Sequence, residues 1–167
     1  MFDKFGEFDS VEELNLAAAG QLEEGDHEAL MELAKENGID KEDVEDYIDG
    51  VVTELATPLM AAFGKLAVEE EELKPYEIMK DWTQYIKARC EESAEMAAAV
   101  RRKGKSLKGC IGALLQWSFK NQHDVDKEIL KAAGVTAGRC TLGIPGIGRA
   151  KKIITEYYLG GLEHEEK

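Results

Sequence analysis

Proline is scarce in this chain, three among 167 residues, so few breaks are enforced on the backbone and long helical stretches are permitted. Cysteine is equally scarce. Cys90, Cys110 and Cys140 are odd in number and contain no CxxC pair, which excludes a disulfide framework and reads as reduced, intracellular thiols. The three histidines (His27, His123, His164) do not pair at metal-binding spacing, so no metal site is expected. No apolar run approaches the roughly 20 residues that a membrane-crossing helix needs. The start, Phe2-Asp3-Lys4, has no basic segment followed by an apolar stretch. Neither a spanning helix nor a secretory signal is expected, and the expected location is the cytoplasm.

What the chain has is charge: 33% of its residues are Asp, Glu, Lys or Arg and 44% apolar, enough for a packed core and too much apolar content for wholesale disorder. The net charge of −13 is unevenly placed. Met1 to Trp82 holds 24 carboxylates against 6 basic side chains, whereas Thr83 to Lys167 holds 10 against 15. An acidic half repels phosphate and a basic half attracts it, so the two halves address different partners.

Helical punctuation recurs along the chain. Ser10 with Glu13 forms a capping-box pattern before a helix over about 11–24. Asp26 opens a second helix that ends at Asn37-Gly38, and Asp40 a third that ends at Gly50. This pair resembles a helix-turn-helix in shape only, because Glu42, Asp43, Glu45, Asp46 and Asp49 would face phosphate with the wrong sign. Thr57-Pro58 opens a fourth helix through Leu66, with Val51 as the earliest start. The run Glu69-Glu70-Glu71-Glu72 reads as a solvated face or a helix end. Lys74-Pro75 opens a fifth helix with Trp82 and Tyr85 inward, Ser93 a sixth and Ser106 a seventh, central one. Asp124 or Asp126 caps a short helix closed by Gly134. The stretch Gly143-Ile144-Pro145-Gly146-Ile147-Gly148 leads into a last helix through Tyr158. Nothing alternates over a strand length. The expected fold is all-α, a compact bundle of eight or nine short helices, with two helical subdomains as the alternative. The divisions are an acidic half over 1–74, a basic half over 75–160 and a frayed tail over 161–167.

Two basic segments are the candidates for binding phosphate or an acidic partner. Arg101, Arg102, Lys103, Lys105 and Lys108 put five positive charges into eight residues. Within them, Gly104-Lys105-Ser106 matches the end of a phosphate-binding loop, but the full pattern needs glycine at position 99, where Ala99 stands, and a preceding strand where this chain has an alanine-rich helix. Nucleotide hydrolysis is therefore set aside. The second segment is Gly146, Gly148, Arg149, Lys151 and Lys152. Its Pro-Gly-Ile-Gly turn matches part of a helix-hairpin-helix motif, whose backbone amides approach a DNA phosphate. If both segments lie on one face, they form a phosphate-tracking patch. No nucleophile, acid–base pair or cofactor motif carries a local signature, so no enzyme is expected.

The stretches Asp81-Trp82-Thr83-Gln84-Tyr85-Ile86, Gly104-Lys105-Ser106-Leu107-Lys108-Gly109-Cys110-Ile111 and Tyr157-Tyr158 resemble those of the PcfK-like accessory proteins of conjugative elements and phages in Firmicutes. That group includes anti-CRISPR proteins that inhibit the type II CRISPR effector nuclease. The resemblance spans about residues 75–160; the acidic half and the Gly143–Gly148 turn fall outside it. It implies a non-enzymatic inhibitor that binds an RNA-guided nuclease or its guide-RNA complex and blocks DNA binding or cleavage. The charge split accords with that role, because Glu42, Asp43, Glu45, Asp46, Asp49 and Glu69 to Glu72 could imitate DNA phosphates in a basic channel. The second expectation is a DNA-binding accessory protein of a mobile element that uses the Gly146–Lys152 turn.

Overall fold

The computed structural model describes residues 1–160, and the tail read from the sequence as frayed lies outside them. The fold is all-α: 64% of the described residues are helical, in nine helices. No helix among them is long and apolar enough to cross a membrane.

Three helices, α1 (Val11–Glu23), α2 (His27–Glu36) and α3 (Lys41–Ile48), build an N-terminal core. Ser10 Oγ accepts from the Glu13 N–H (3.2 Å) and Asp26 Oδ1 from the Ala29 N–H (2.9 Å), so local side-chain chemistry starts α1 and α2. Leu14, Ala18, Leu30, Leu33, Val44 and Tyr47 recur at helical spacing and meet Ile39, Leu55 and Ala56 inside. The 51–55 stretch is a series of bends, and helix resumes only at Pro58.

The long α4 (Pro58–Leu73) joins the two halves: Ala61 belongs to the first core, and Ala62 with Leu66 to the second. Thr57 Oγ1 caps it at the Met60 N–H, and Pro58 sits in its first turn. It carries the Glu69 to Glu72 run within its last turn and ends on Lys74 at φ 48°. Helix α5 (Ile78–Glu92) therefore starts three residues later than Pro75 suggests. Then follow α6 (Ala94–Arg101), capped by Ser93, and α7 (Leu107–Lys120), capped by Ser106. The last helix is α9 (Ile147–Leu159). Trp82, Ile86, Met96, Val100, Leu107, Cys110, Leu114, Ile154 and Tyr158 close the second core. Cys90 and Cys110 lie within it, and burial pushes both thiols up to about 12.

Between α7 and α9 runs an element the periodicity does not signal. Two short strands, β1 (His123–Asp124) and β2 (Thr141–Leu142), pair antiparallel and enclose the short helix α8 (Lys127–Ala132), which buries none of its residues. At two residues each, these strands are too short to alternate.

Within the N-terminal half, the backbone after α2 touches that of α4 at a glycine pair. Gly38, at φ 68° after α2, lies against Gly64 of α4, and a Cβ on either would overlap a carbonyl oxygen of the other segment. Glycine is required at both positions, for the positive φ at one and for the contact distance at the other.

Candidate functional site

The turn between α6 and α7 carries most of the first basic segment, and it closes around a buried charge. Lys65 on α4 is fully buried, and its ammonium donates to Glu7 Oε1 (2.7 Å), the Arg102 carbonyl (2.9 Å) and the Lys105 carbonyl (2.6 Å). Three N–H bonds meet three acceptors, which is what a buried ammonium requires. Desolvation still draws the Lys65 pKa below its usual value, against the raising effect of Glu7.

Arg101 is only 1% exposed, so it is no surface cation as the sequence suggested. Its Nε and Nη2 donate to the Phe8 carbonyl (3.2 and 3.1 Å), and its guanidinium lies over the Phe2 ring at 5.3 Å. The neighbouring Lys103 N–H donates to Asp9 Oδ1 (2.9 Å). Residues 2–9 thus form a strap from the N-terminal half across the α6–α7 turn, while the Glu36 carboxylate accepts from the Phe5 N–H (3.2 Å) at its near end.

The rest of the turn is bound to α9. Lys105 Nζ donates to the Tyr157 carbonyl (2.6 Å) and sits 5.0 Å from the Tyr157 ring centre, and the Ser106 N–H donates to the Tyr157 hydroxyl (2.9 Å). Gly109 faces that hydroxyl so closely that a Cβ would overlap it. The Gly104–Ile111 and Tyr157-Tyr158 stretches therefore come together in the fold, where they join the start of α7 to the end of α9. The N–H and ammonium that a phosphate would need are taken by Tyr157. Only Lys103 and Lys108 of this segment are exposed, with Arg102 half-buried.

Glu69 is likewise corrected: it is 2% exposed and cannot belong to an acidic outer surface. Glu70 is half-buried and paired with Lys87 at 2.6 Å, which leaves Glu71 and Glu72 as the exposed members of that run. Burial raises the Glu69 carboxyl to about 7, more than the Lys65 charge and the Leu107 N–H lower it, and its Oε2 has no hydrogen-bond partner. The folded state holds this proton more tightly than the unfolded chain. Glu69 therefore favours folding fully below about pH 4.5, and that advantage disappears as pH rises through about 7. Relative to Glu69→Gln, the wild type should lose about 3 kcal/mol of stability between those limits. Urea unfolding of both proteins across that range measures it, and a constant difference would refute it.

The second basic segment lies at the far end of the α7–α9 pair. The two helices run antiparallel: Tyr157 meets Ser106, whereas Arg149 stacks on Trp117 at 5.8 Å. Eight residues of helix, about 12 Å, separate Arg149 from Tyr157, so the two segments sit at opposite ends of this helix pair. Gly146, Gly148, Arg149, Lys151 and Lys152 are all exposed, with Lys151 over the Tyr85 ring at 5.4 Å. Gly146 caps α9 without a side-chain hydrogen bond.

On the acidic side, α3 turns Val44 and Tyr47 inward and leaves Glu42, Glu45, Asp46 and Asp49 exposed, with Asp43 half-buried. Lys41 pairs with Glu45 at 3.1 Å. Residues 1–57, which carry the N-terminal core, hold 18 acidic and 3 basic side chains, a net of −15.

The sequence reading missed Lys65 and Glu7. A signal was present: Lys65 is the one charge in Leu59–Val68, otherwise apolar or glycine, and Glu69 follows at the i+4 spacing that puts both on one face. Among the described residues, no group of three or more His, Cys, Asp or Glu side chains is placed to hold a metal. Neither family models, nor curated proteins, nor solved structures give a match to the chain.

Proposed function

We propose that this protein is a non-enzymatic inhibitor of an RNA-guided type II CRISPR effector nuclease in the bacterial cytoplasm, and that its acidic half occupies the nuclease's basic nucleic-acid channel. The observation that carries this reading is the α3 stripe. Glu42, Glu45, Asp46 and Asp49 recur at i, i+3, i+4 and i+7 on the exposed face. At 1.5 Å per residue they present one carboxylate per ~3.5 Å, close to the ~3.4 Å spacing along one DNA strand, with Glu45 paired to Lys41. A surface so patterned steers toward arginine- and lysine-lined channels and away from naked DNA. The resemblance of residues 75–160 to PcfK-like accessory proteins supplies the nuclease as the partner.

A cleavage assay with titrated protein tests it. Inhibition is expected at near-equimolar ratio, and undiminished cleavage at large excess would sink the reading. Reversing Glu42, Glu45, Asp46 and Asp49 to Lys together should raise the half-inhibitory concentration at least about tenfold, equivalent to about 1.4 kcal/mol of binding, with helicity retained. Equal potency of this variant would remove the mimic surface from the mechanism.

A second reading is favoured by the other end: an exposed helix start with three cations at α9 suits contacts to DNA phosphate in a mobile-element accessory protein. It predicts duplex binding that falls steeply with salt and is lost in Arg149→Glu. Absence of a gel shift at low salt would eliminate it.

A further inference from the structure

Eight of the thirteen exposed large hydrophobic side chains among the described residues gather at two places that differ in charge. One lies where the end of α7, β2 and the start of α9 meet. Gly143 lies against the Ser118 carbonyl, Thr141 Oγ1 donates to Gln122 Oε1 (2.9 Å) and Arg149 stacks on Trp117, so these segments share one end of the molecule. They present Leu115, Phe119, Leu142, Ile144 and Ile147, the last 78% exposed. Residues 129–155 contain five Lys or Arg and no carboxylate, and residues 96–122 contain none either. This end is apolar with a mainly cationic surround, in which Asp124 of β1 pairs with Arg139 at 2.7 Å.

The other place is on the N-terminal core. The Asn15 side chain exchanges two hydrogen bonds with the Ala56 backbone (2.9 Å each), which sets α1 beside the 51–56 segment. Leu16, 75% exposed, and Val51 and Val52 protrude there. Glu23 and Glu54 bear on Tyr47 nearby and raise its pKa, though less than burial does. This end is apolar with an anionic surround. The first place lies one α7 length, about 20 Å, beyond the turn that the N-terminal strap crosses, so one copy cannot bring both together.

We propose that the two places are complementary halves of one interface, by which a second copy of this chain docks head to tail. Apolar area covers apolar area, and the cationic surround of one copy meets the carboxylates of the next. A symmetric pairing of like ends would set Lys and Arg against themselves, so charge selects the heterologous contact. Such a contact extends by addition of further copies unless its rotation closes a ring. The aliphatic majority at the basic end favours this protein partner over single-stranded nucleic acid, which would call for aromatic stacking. The inference does not rest on the nuclease reading, because it uses none of the α3 stripe.

Light scattering of the purified, nuclease-treated protein over rising concentration tests it, using two variants altered only at exposed positions. Wild type is expected to grow in mass beyond 37 kDa, twice the 18.5 kDa chain. Phe119→Ser/Ile147→Asp breaks the basic end and Leu16→Lys/Val51→Lys the acidic end, and each alone should remain at 18.5 kDa. Mixed, they retain one intact interface and should form a pair of 37 kDa that grows no further. A wild type that stays monomeric to millimolar concentration overturns the proposal. So does self-association in which mixing fails to restore the pair, or a larger mass seen only before nuclease treatment.

Discussion

Replacing Lys65 by Met is expected to lower the unfolding free energy by about 3–5 kcal/mol, the cost of removing one partner from a buried charge cluster. Methionine fills nearly the same volume, so the loss is electrostatic. Glu7 would keep its charge with no ammonium opposite, and the Arg102 and Lys105 carbonyls, both turned toward Lys65, would lose their donor. Those two carbonyls shape the turn that seats Lys105 and Ser106 on Tyr157, so the damage should spread to the α7–α9 contact. For a chain of this length the melting temperature should fall by about 6–20 °C, read by circular dichroism. Lys152→Met, at an exposed position, is the control and should change little. A fall below about 3 °C for Lys65→Met would mean that the cluster does not hold the halves together.

Gly64→Ala is expected to cost about 3 kcal/mol, at the upper end of ordinary overpacking. The added methyl meets the Asn37 carbonyl and then the Gly38 backbone, none of which is the movable end of a side chain. Relief requires α4 to withdraw from the α2–α3 junction, which would pull Ala61 out of the N-terminal core. The same substitution at Gly112, where nothing lies within 4 Å, should be neutral or slightly stabilising through helix propensity. Chemical denaturation of the pair separates the two cases. Equal stability would show that the helices are free to part at this crossing.

The parts of the fold that could be read in advance are those decided within four residues of chain. Ser10, Asp26, Thr57, Ser93, Ser106 and Asp126 each accept from an N–H two or three residues on, so their helices begin where the sequence indicates. Asp40 makes no such bond, yet α3 starts after it, held by Val44 and Tyr47. What failed was decided at long range. Arg101, Lys105 and Glu69 look like surface charges because their neighbours are charged, but their surroundings come from Phe8, Tyr157 and Leu107 on other segments. Whether the two basic segments share a face was equally out of reach, since it depends on α7 and α9 running antiparallel. The α3 stripe was legible as a list of carboxylates, and the fold adds that four of them share the exposed face while Asp43 turns partly inward.

The strap also places a constraint on the order of assembly during synthesis. Phe8 and its acceptor bond to Arg101 are 93 positions apart in the chain. At roughly 5–20 residues per second, the ribosome delivers Arg101 about 5–20 s after Phe8 has emerged. Through that interval the Glu7 side chain waits for the turn that completes its cluster, while α1, α2 and α3 can already collapse on their own short-range contacts. The closure that ties the earliest residues to the middle of the chain cannot happen on a nascent chain that stops before the α6–α7 turn, and the seating of that turn on Tyr157 must wait longer still, for α9 to emerge.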